Sequence, residues 1–215
     1  MIYIKKGREP AKLQQYKRKK AASFDAMDTD VKSEVRQALL KEQGHLCAYC
    51  MRKIDATDIK IEHYQARNSD NELQYSNLLA VCKGNEGQRY ELQTCDTHKK
   101  NTPIKINPLN EQHMQTIYYT NNGEIHSENM DFEKDLTEIL NLNNPKGSLL
   151  NARSTALKAL QREIEKDLRG KTNSMAKLRY FERLWEYYHE HQDVMTEYVG
   201  ILRWYIDKKL NKLNK

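Results

Sequence analysis

Cysteine, proline and glycine are all scarce in this chain of 215 residues, which holds four, four and eight of them. So little proline and glycine excludes a collagen-like or linker-dominated polymer. No apolar run approaches the roughly 20 residues that a helix needs to cross a bilayer. The opening MIYIKKGREP has no apolar core of signal-peptide length. A cytoplasmic location without membrane association is the expectation. In a reducing compartment four cysteines do not read as a disulfide scaffold, which leaves metal binding or redox chemistry.

Charge is abundant. Charged residues make up 31% of the chain and hydrophobic ones 38%, as suits a helix-rich domain with a polar surface. The net charge of +6 is unevenly spread. Residues 1–20 carry eight Lys/Arg against one acid, and residues 145–215 carry fifteen against nine. The middle holds thirteen basic and twenty acidic side chains. Basic ends around an acidic centre suggest phosphate-binding arms beside a site that gathers carboxylates for a cation, although solubility charge gives the same pattern.

Three stretches follow from periodicity. Residues 1–44 begin with a short strand, MIYI, and a basic helix that Pro10 opens. A second helix has Val31, Val35, Ala38 and Leu39 on one face and Gly44 at its end. Residues 45–130 break into short pieces: DIKIEH alternates as a half-buried strand does, NLLAVC is a short apolar run, and TIYYTNNGEIHS reads as a hairpin with a type I′ turn at Asn122-Gly123. Residues 131–215 turn helical, with Leu149, Ala152, Ala156, Leu157, Leu160 and Ile164 at helical spacing up to Gly170. Two further helices are expected over 175–191 and 194–213. Tyr180, Trp185, Tyr188, Trp204 and Tyr205 in them read as packing rather than base-stacking residues. The fold class is α+β.

HLCAYC places Cys47 and Cys50 on one tight turn, where two thiolates reach a single ion. Cys82 ends the apolar run and Cys95 opens CDTHKKN, so both are placed to complete a tetrahedral zinc site. A thioredoxin-like redox pair is the rival, but this pair follows a helix rather than ending a strand.

Between the cysteines lie Glu62-His63 at the end of IKIEH, Asn77 before LLAVC, and Asp96 and His98 after Cys95. This order resembles the HNH nuclease family. The resemblance implies a ββα-metal, treble-clef-like core supported by zinc. It gives Glu62 the acidic metal-ligand position and makes Asn77 the residue that orients the histidine. YIKKGREP, CKGNEGQRYELQTCDTHK, ILNLN and the helical tail are similar to the PtuB-like branch, found in Septu and retron-associated antiphage systems. That similarity implies a PtuA-like ATPase partner, a nucleic acid substrate, and a link to a retron reverse transcriptase and its msDNA.

Phosphodiester hydrolysis needs an activated water and stabilisation of charge on the phosphate and leaving oxygen, the latter suited to one divalent ion. An imidazole ordinarily titrates near neutral pH, so His63 is the candidate base. Alternation sends His63 and Glu62 to opposite sides, so a strand end or bulge must bring Glu62 to the metal. Asp96 stands where many relatives have His or Asn, and its hard oxygen suits Mg²⁺ or Mn²⁺. Three roles are open to His98: second ligand, phosphate contact, or replacement of Cys95 on zinc. His45 reads as a residue flanking the cysteine turn, and His113, His126, His189 and His191 as surface or hairpin residues.

Overall fold

A computed structural model describes residues 1–190 and 192–214; His191 lies outside them. The architecture is α+β, with two small two-stranded sheets among eight α-helices within the described residues. No described helix is long and apolar enough to cross a membrane.

Helix α2 (Thr29–Glu42) forms where the sequence repeats apolar residues on one face, and it buries Val31, Val35, Leu39 and Leu40. That face packs on β2 (Leu78–Cys82), all five of whose residues are buried. β2 pairs antiparallel with β1 (Ile59–His63) in continuous register from Ile59↔Cys82 to His63↔Leu78. The opposite edge of β2 is closed by a buried glutamine. Gln43 donates to Ala80 O at 2.8 Å and accepts from Ala80 N at 2.8 Å, while Ala48 N reaches Ala80 O at 3.0 Å. Pairing both edges removes the exposed ladder that a two-stranded sheet otherwise presents. The short helix α3 (Cys95–Lys99) then lies against β2.

The remaining elements support this unit. After α4 (Glu111–Gln115), β3 (Ile117–Tyr119) and β4 (Ile125–Ser127) form the second sheet. α5 (Met130–Lys134) runs into a π-turn over Asp135–Ile139, and Leu140 O accepts from Cys95 N at 2.9 Å. α6 (Leu149–Leu168), α7 (Ser174–His189) and α8 (Val199–Leu213) follow, with α8 packed on both α6 and β3. One buried cluster runs from Met1 and Ile4 through Leu39, Leu79 and Ile106 to Leu157 and Ile206, so all three stretches of chain share a core.

Several sequence expectations are corrected. MIYI is not a strand; its ladder is replaced by one bond from Ile4 N to Pro108 O at 2.9 Å, and Met1 and Ile4 are buried as core side chains. The basic helix is only α1 (Ala11–Tyr16); its Lys12 is answered locally by Asp30 at 2.9 Å, and Lys19 beyond it by Asp28 at 2.7 Å. In the hairpin loop Gly123 has positive φ (+90°) and Asn121 and Asn122 do not. Gly123 N bonds Thr120 O at 3.0 Å and Thr120 N bonds Glu124 O at 3.0 Å, a three-residue loop ending in a left-handed residue rather than type I′. A Cβ on Gly123 would meet Leu150 O at 2.3 Å. The last helix starts at Val199 rather than 194, because Tyr198 takes a left-handed φ of 56°.

Candidate metal centre and catalytic cleft

The four cysteines converge. Their Sγ atoms all lie within 4.8 Å of one another, and the pairs Cys50–Cys82, Cys82–Cys95 and Cys47–Cys95 stand at 3.7, 3.8 and 3.9 Å. Four thiolates around zinc at about 2.3 Å have sulfur separations of about 3.8 Å, so the cluster has the dimensions of a tetrahedral site and not of a disulfide. All four are buried. Burial opposes ionisation of Cys47, yet hydrogen bonds from the other three thiols hold its pKa well below the usual range. The same contacts push Cys50 and Cys95 up. The donor set fits a metal such as zinc. Among the described residues this is the one group of three or more His, Cys, Asp or Glu ligand atoms so close together.

Local chain geometry delivers the ligands. Cys47 N bonds Arg52 O at 2.9 Å, closing the turn that carries Cys47 and Cys50. The twelve residues between Cys82 and Cys95 return because Thr94 N bonds Gly84 O at 2.9 Å. Gly84 has φ +53°, and a Cβ there would stand 2.1 Å from Thr94 O, so a side chain would block the return. Cys95 itself occupies the metal-centre position, which excludes His98 from that role.

Beside the cluster a cavity of about 500 Å³ is lined by Lys60, Glu62, His63, Arg67, Asp96 and Lys99, among others. Glu62 is 5% exposed and meets two partners, the Lys99 ammonium at 2.7 Å and the Tyr49 hydroxyl, which donates at 3.1 Å. Its burial, and then the hydrogen bond and charge of Asp96, push its pKa up to about 8 against the pull of Lys99. Asp96 is paired with Lys60 at 3.2 Å. Buried Glu62 and half-buried Asp96 thus form a carboxylate pair with a lysine on each. No bulge brings Glu62 in: pairing runs unbroken to His63↔Leu78, and α3 and Tyr49 cover the Glu62 side of the strand.

His63 ends β1 on the rim of the same cavity. Its Nε2–H donates to Glu72 O at 2.9 Å, and its ring meets Phe24 edge-on at 4.5 Å. A carbonyl only accepts, so this bond fixes the proton on Nε2 and leaves Nδ1 basic. Burial lowers the imidazole pKa, which favours the neutral form. The expected contact from Asn77 to the ring is replaced by a clamp on the next loop: Asn77 Oδ1 accepts from Gln65 N at 2.7 Å and Asn77 Nδ2 donates to Gln65 O at 3.2 Å. Asn77 holds the loop that follows His63, and Glu72 O holds the ring.

His98 is not in the cleft. It is buried, its Nδ1 lies 2.9 Å from Ile139 O, and it stacks on Tyr90 with ring centroids 4.2 Å apart. Two residues along a helix turn the side chain by about 200°, so His98 and Asp96 point to opposite sides of α3. Lys99, three residues after Asp96, shares its face. That spacing, and the i, i+2 relation of Lys60 to Glu62 on β1, were the signals for the two lysines. Tyr49 gave none beyond its place inside CAYC. His113 and His126 make local contacts, with Asn107 N at 3.1 Å and Glu133 at 2.8 Å.

No model of a known protein family matches the chain. Over 92 residues, 36% of this chain and 35% of the relative, it is 35% identical to an Escherichia coli protein named "Retron Ec83 putative HNH endonuclease". Over 119 residues, 50% of this chain and 57% of the relative, it is 29% identical to "Retron Vc95 putative HNH endonuclease" of Vibrio cholerae serotype O1 biovar El Tor. The chain is homologous to both. The matches span about a third and just over half of those relatives' lengths.

Proposed function

We propose that this protein is a metal-dependent HNH endonuclease that hydrolyses phosphodiester bonds in nucleic acid, with β1, β2 and α3 as a zinc-supported ββα-metal core. One observation carries the reading: Glu62, His63, Asp96 and Lys99 line a single cleft on the elements whose ends the four cysteines tie together. His63 Nδ1 takes a proton from the attacking water, its ring held by Glu72 and its loop by Asn77. Glu62 and Asp96 are the oxygen donors for Mg²⁺ or Mn²⁺, which would neutralise charge on the phosphate and on the leaving oxygen. Lys60, Arg67 and Lys100 line the cleft as candidate phosphate contacts.

The resemblance to PtuB-like proteins supports an antiphage role with a PtuA-like ATPase, and in this reading DNA is the first substrate to test. The retron names of the two relatives favour RNA as the second substrate to test, and a retron reverse transcriptase–msDNA complex as a further partner. In this reading residues 45–130 form the nuclease domain between the N-terminal arm and the helical region. Incubation with Mg²⁺ on DNA and RNA, with and without the ATPase, tests it: wild type should cut one polymer and His63→Ala neither. Binding of nucleic acid without cleavage in every arm would replace it with a non-catalytic, zinc-containing adaptor.

A further inference from the structure

We infer that Tyr90, held by His98 beside the cleft-lining Lys100, is a stacking platform for an unpaired base, which makes single-stranded nucleic acid the preferred ligand. This deepens the nuclease reading and rests on it for the meaning of the cleft. Tyr90 belongs to a short 3₁₀ turn, Tyr90–Leu92, in the loop between Cys82 and Cys95, and it is 49% exposed. An aromatic ring left half in water normally wobbles, but this one is fixed. The His98 imidazole lies parallel to it, with centroids 4.2 Å apart and planes 17° apart. His98 is in turn held at Ile139 O, and the Tyr90 hydroxyl donates to His98 O at 3.4 Å. A pre-ordered ring loses little freedom on binding.

The surroundings separate base from phosphate. A second cavity of about 390 Å³ opens beside Tyr90 and His98, with Asn141 and Pro145 on its wall and the carboxylates of Glu91 and Glu138 on its lining. Those carboxylates repel phosphate and leave the cavity to an uncharged base. Lys100 has its ammonium over the Tyr90 ring, 5.0 Å from the centroid, and also lines the catalytic cleft, so a base that stacks on Tyr90 moves this flexible ammonium off the ring towards its own phosphate. Lys100 is therefore placed to hold the phosphate that joins a base on Tyr90 to the nucleotide in the cleft. A paired base is stacked within its helix and offers no free face, so the platform takes a single strand, a loop or a frayed end.

The test measures binding of labelled single-stranded oligonucleotides, DNA and RNA, and of a duplex of the same sequence to the full chain at fixed salt without added divalent ion. Tyr90→Ala should weaken single-strand binding by about 5- to 150-fold, the range for loss of one stacked base. Tyr90→Trp and Tyr90→Phe should bind within about twofold of wild type, since both keep a π-face. Duplex binding should not change, and circular dichroism and zinc content check folding. Equal binding by wild type and Tyr90→Ala overturns the inference. So does a Tyr90→Phe variant as weak as Tyr90→Ala, or an equal loss on duplex. Failure of wild type to cut anything, with the Tyr90 effect intact, removes the nuclease reading and leaves the platform. Cleavage with no Tyr90 effect on binding does the reverse.

Discussion

Replacing Glu62 with glutamine turns the pH dependence of stability into a measurement of the cleft's electrostatics. Burial and the neighbouring Asp96 push Glu62 to about 8 in the folded protein, against about 4.3 for an unfolded glutamate. Between those values the folded chain keeps a proton that the unfolded chain has released. A raised acid pKa therefore gives stability that is fully present below the unfolded value and is lost as pH rises towards about 8. Each unit is worth about 1.4 kcal/mol, so the displacement from about 4.3 to neutral pH costs about 3–4 kcal/mol at most. With Lys99 only 2.7 Å away, a realistic loss is about 2–4 kcal/mol. Glutamine cannot titrate but still accepts from Tyr49 and Lys99, and any cost of leaving Lys99 without a carboxylate is constant over the range. Urea unfolding of both proteins from about pH 5 to about pH 9, zinc retained and no divalent ion added, gives the difference directly. Wild type should lose stability relative to Glu62→Gln up to about pH 8 and level off above it, equivalent to roughly 5–10 °C in Tm for a chain of this size. A difference that stays flat, or that rises with pH, would mean that Lys99 keeps Glu62 ionised throughout and that the attraction outweighs burial.

Protein purified without chelator should carry about one zinc per chain, and Cys47→Ser, Cys50→Ser, Cys82→Ser or Cys95→Ser should lose it and unfold easily, because metal binding in such sites is folding energy; elemental analysis that finds no zinc in wild type refutes the metal centre. His63→Ala should cut about 10²–10⁴-fold more slowly with unchanged zinc and melting temperature, and cleavage at the wild-type rate removes His63 as base. Leu39→Ala, at a fully buried position of α2 facing β2, should cost about 2–5 kcal/mol in urea unfolding. Deleting 172–215 removes the fully buried Ile201 and Ile206 and should leave an insoluble product. Exchange of the exposed Trp185 and Tyr187 for alanine is the milder way to map an ATPase contact by co-purification, with undiminished capture placing that contact elsewhere.

Much of the local structure was legible. Alternation in IKIEH and the apolar run LLAVC mark β1 and β2, and the repeat of Val31, Val35 and Leu39 marks α2. The two cysteines in HLCAYC, with Cys82 and Cys95, already named the four residues that come together and could hold a metal, since a two-residue spacer fixes a pair on one turn whatever surrounds it. Of the ordered residues Glu62, His63, Asn77, Asp96 and His98, the first two and Asp96 line one cleft, and Asn77 and His98 do not. These are short-range features, set by side-chain period and turn geometry.

Tertiary packing decided what covers each face. MIYI has the composition of a strand, but the backbone finds Pro108 instead of a ladder and the side chains find the core. Asp96 faces the cleft and His98 the Tyr90 ring because α3 is wedged between β2 and the Asp135–Ile139 turn, so its opposite sides meet different neighbours. Lys99 becomes the counter-charge of Glu62, and Tyr49 its hydrogen-bond donor, only once chain segments tens of residues apart are brought together around four sulfurs. The period of a sequence gives the direction of a side chain relative to its own backbone. Its partner, its burial and hence its protonation state depend on which distant segment closes over it.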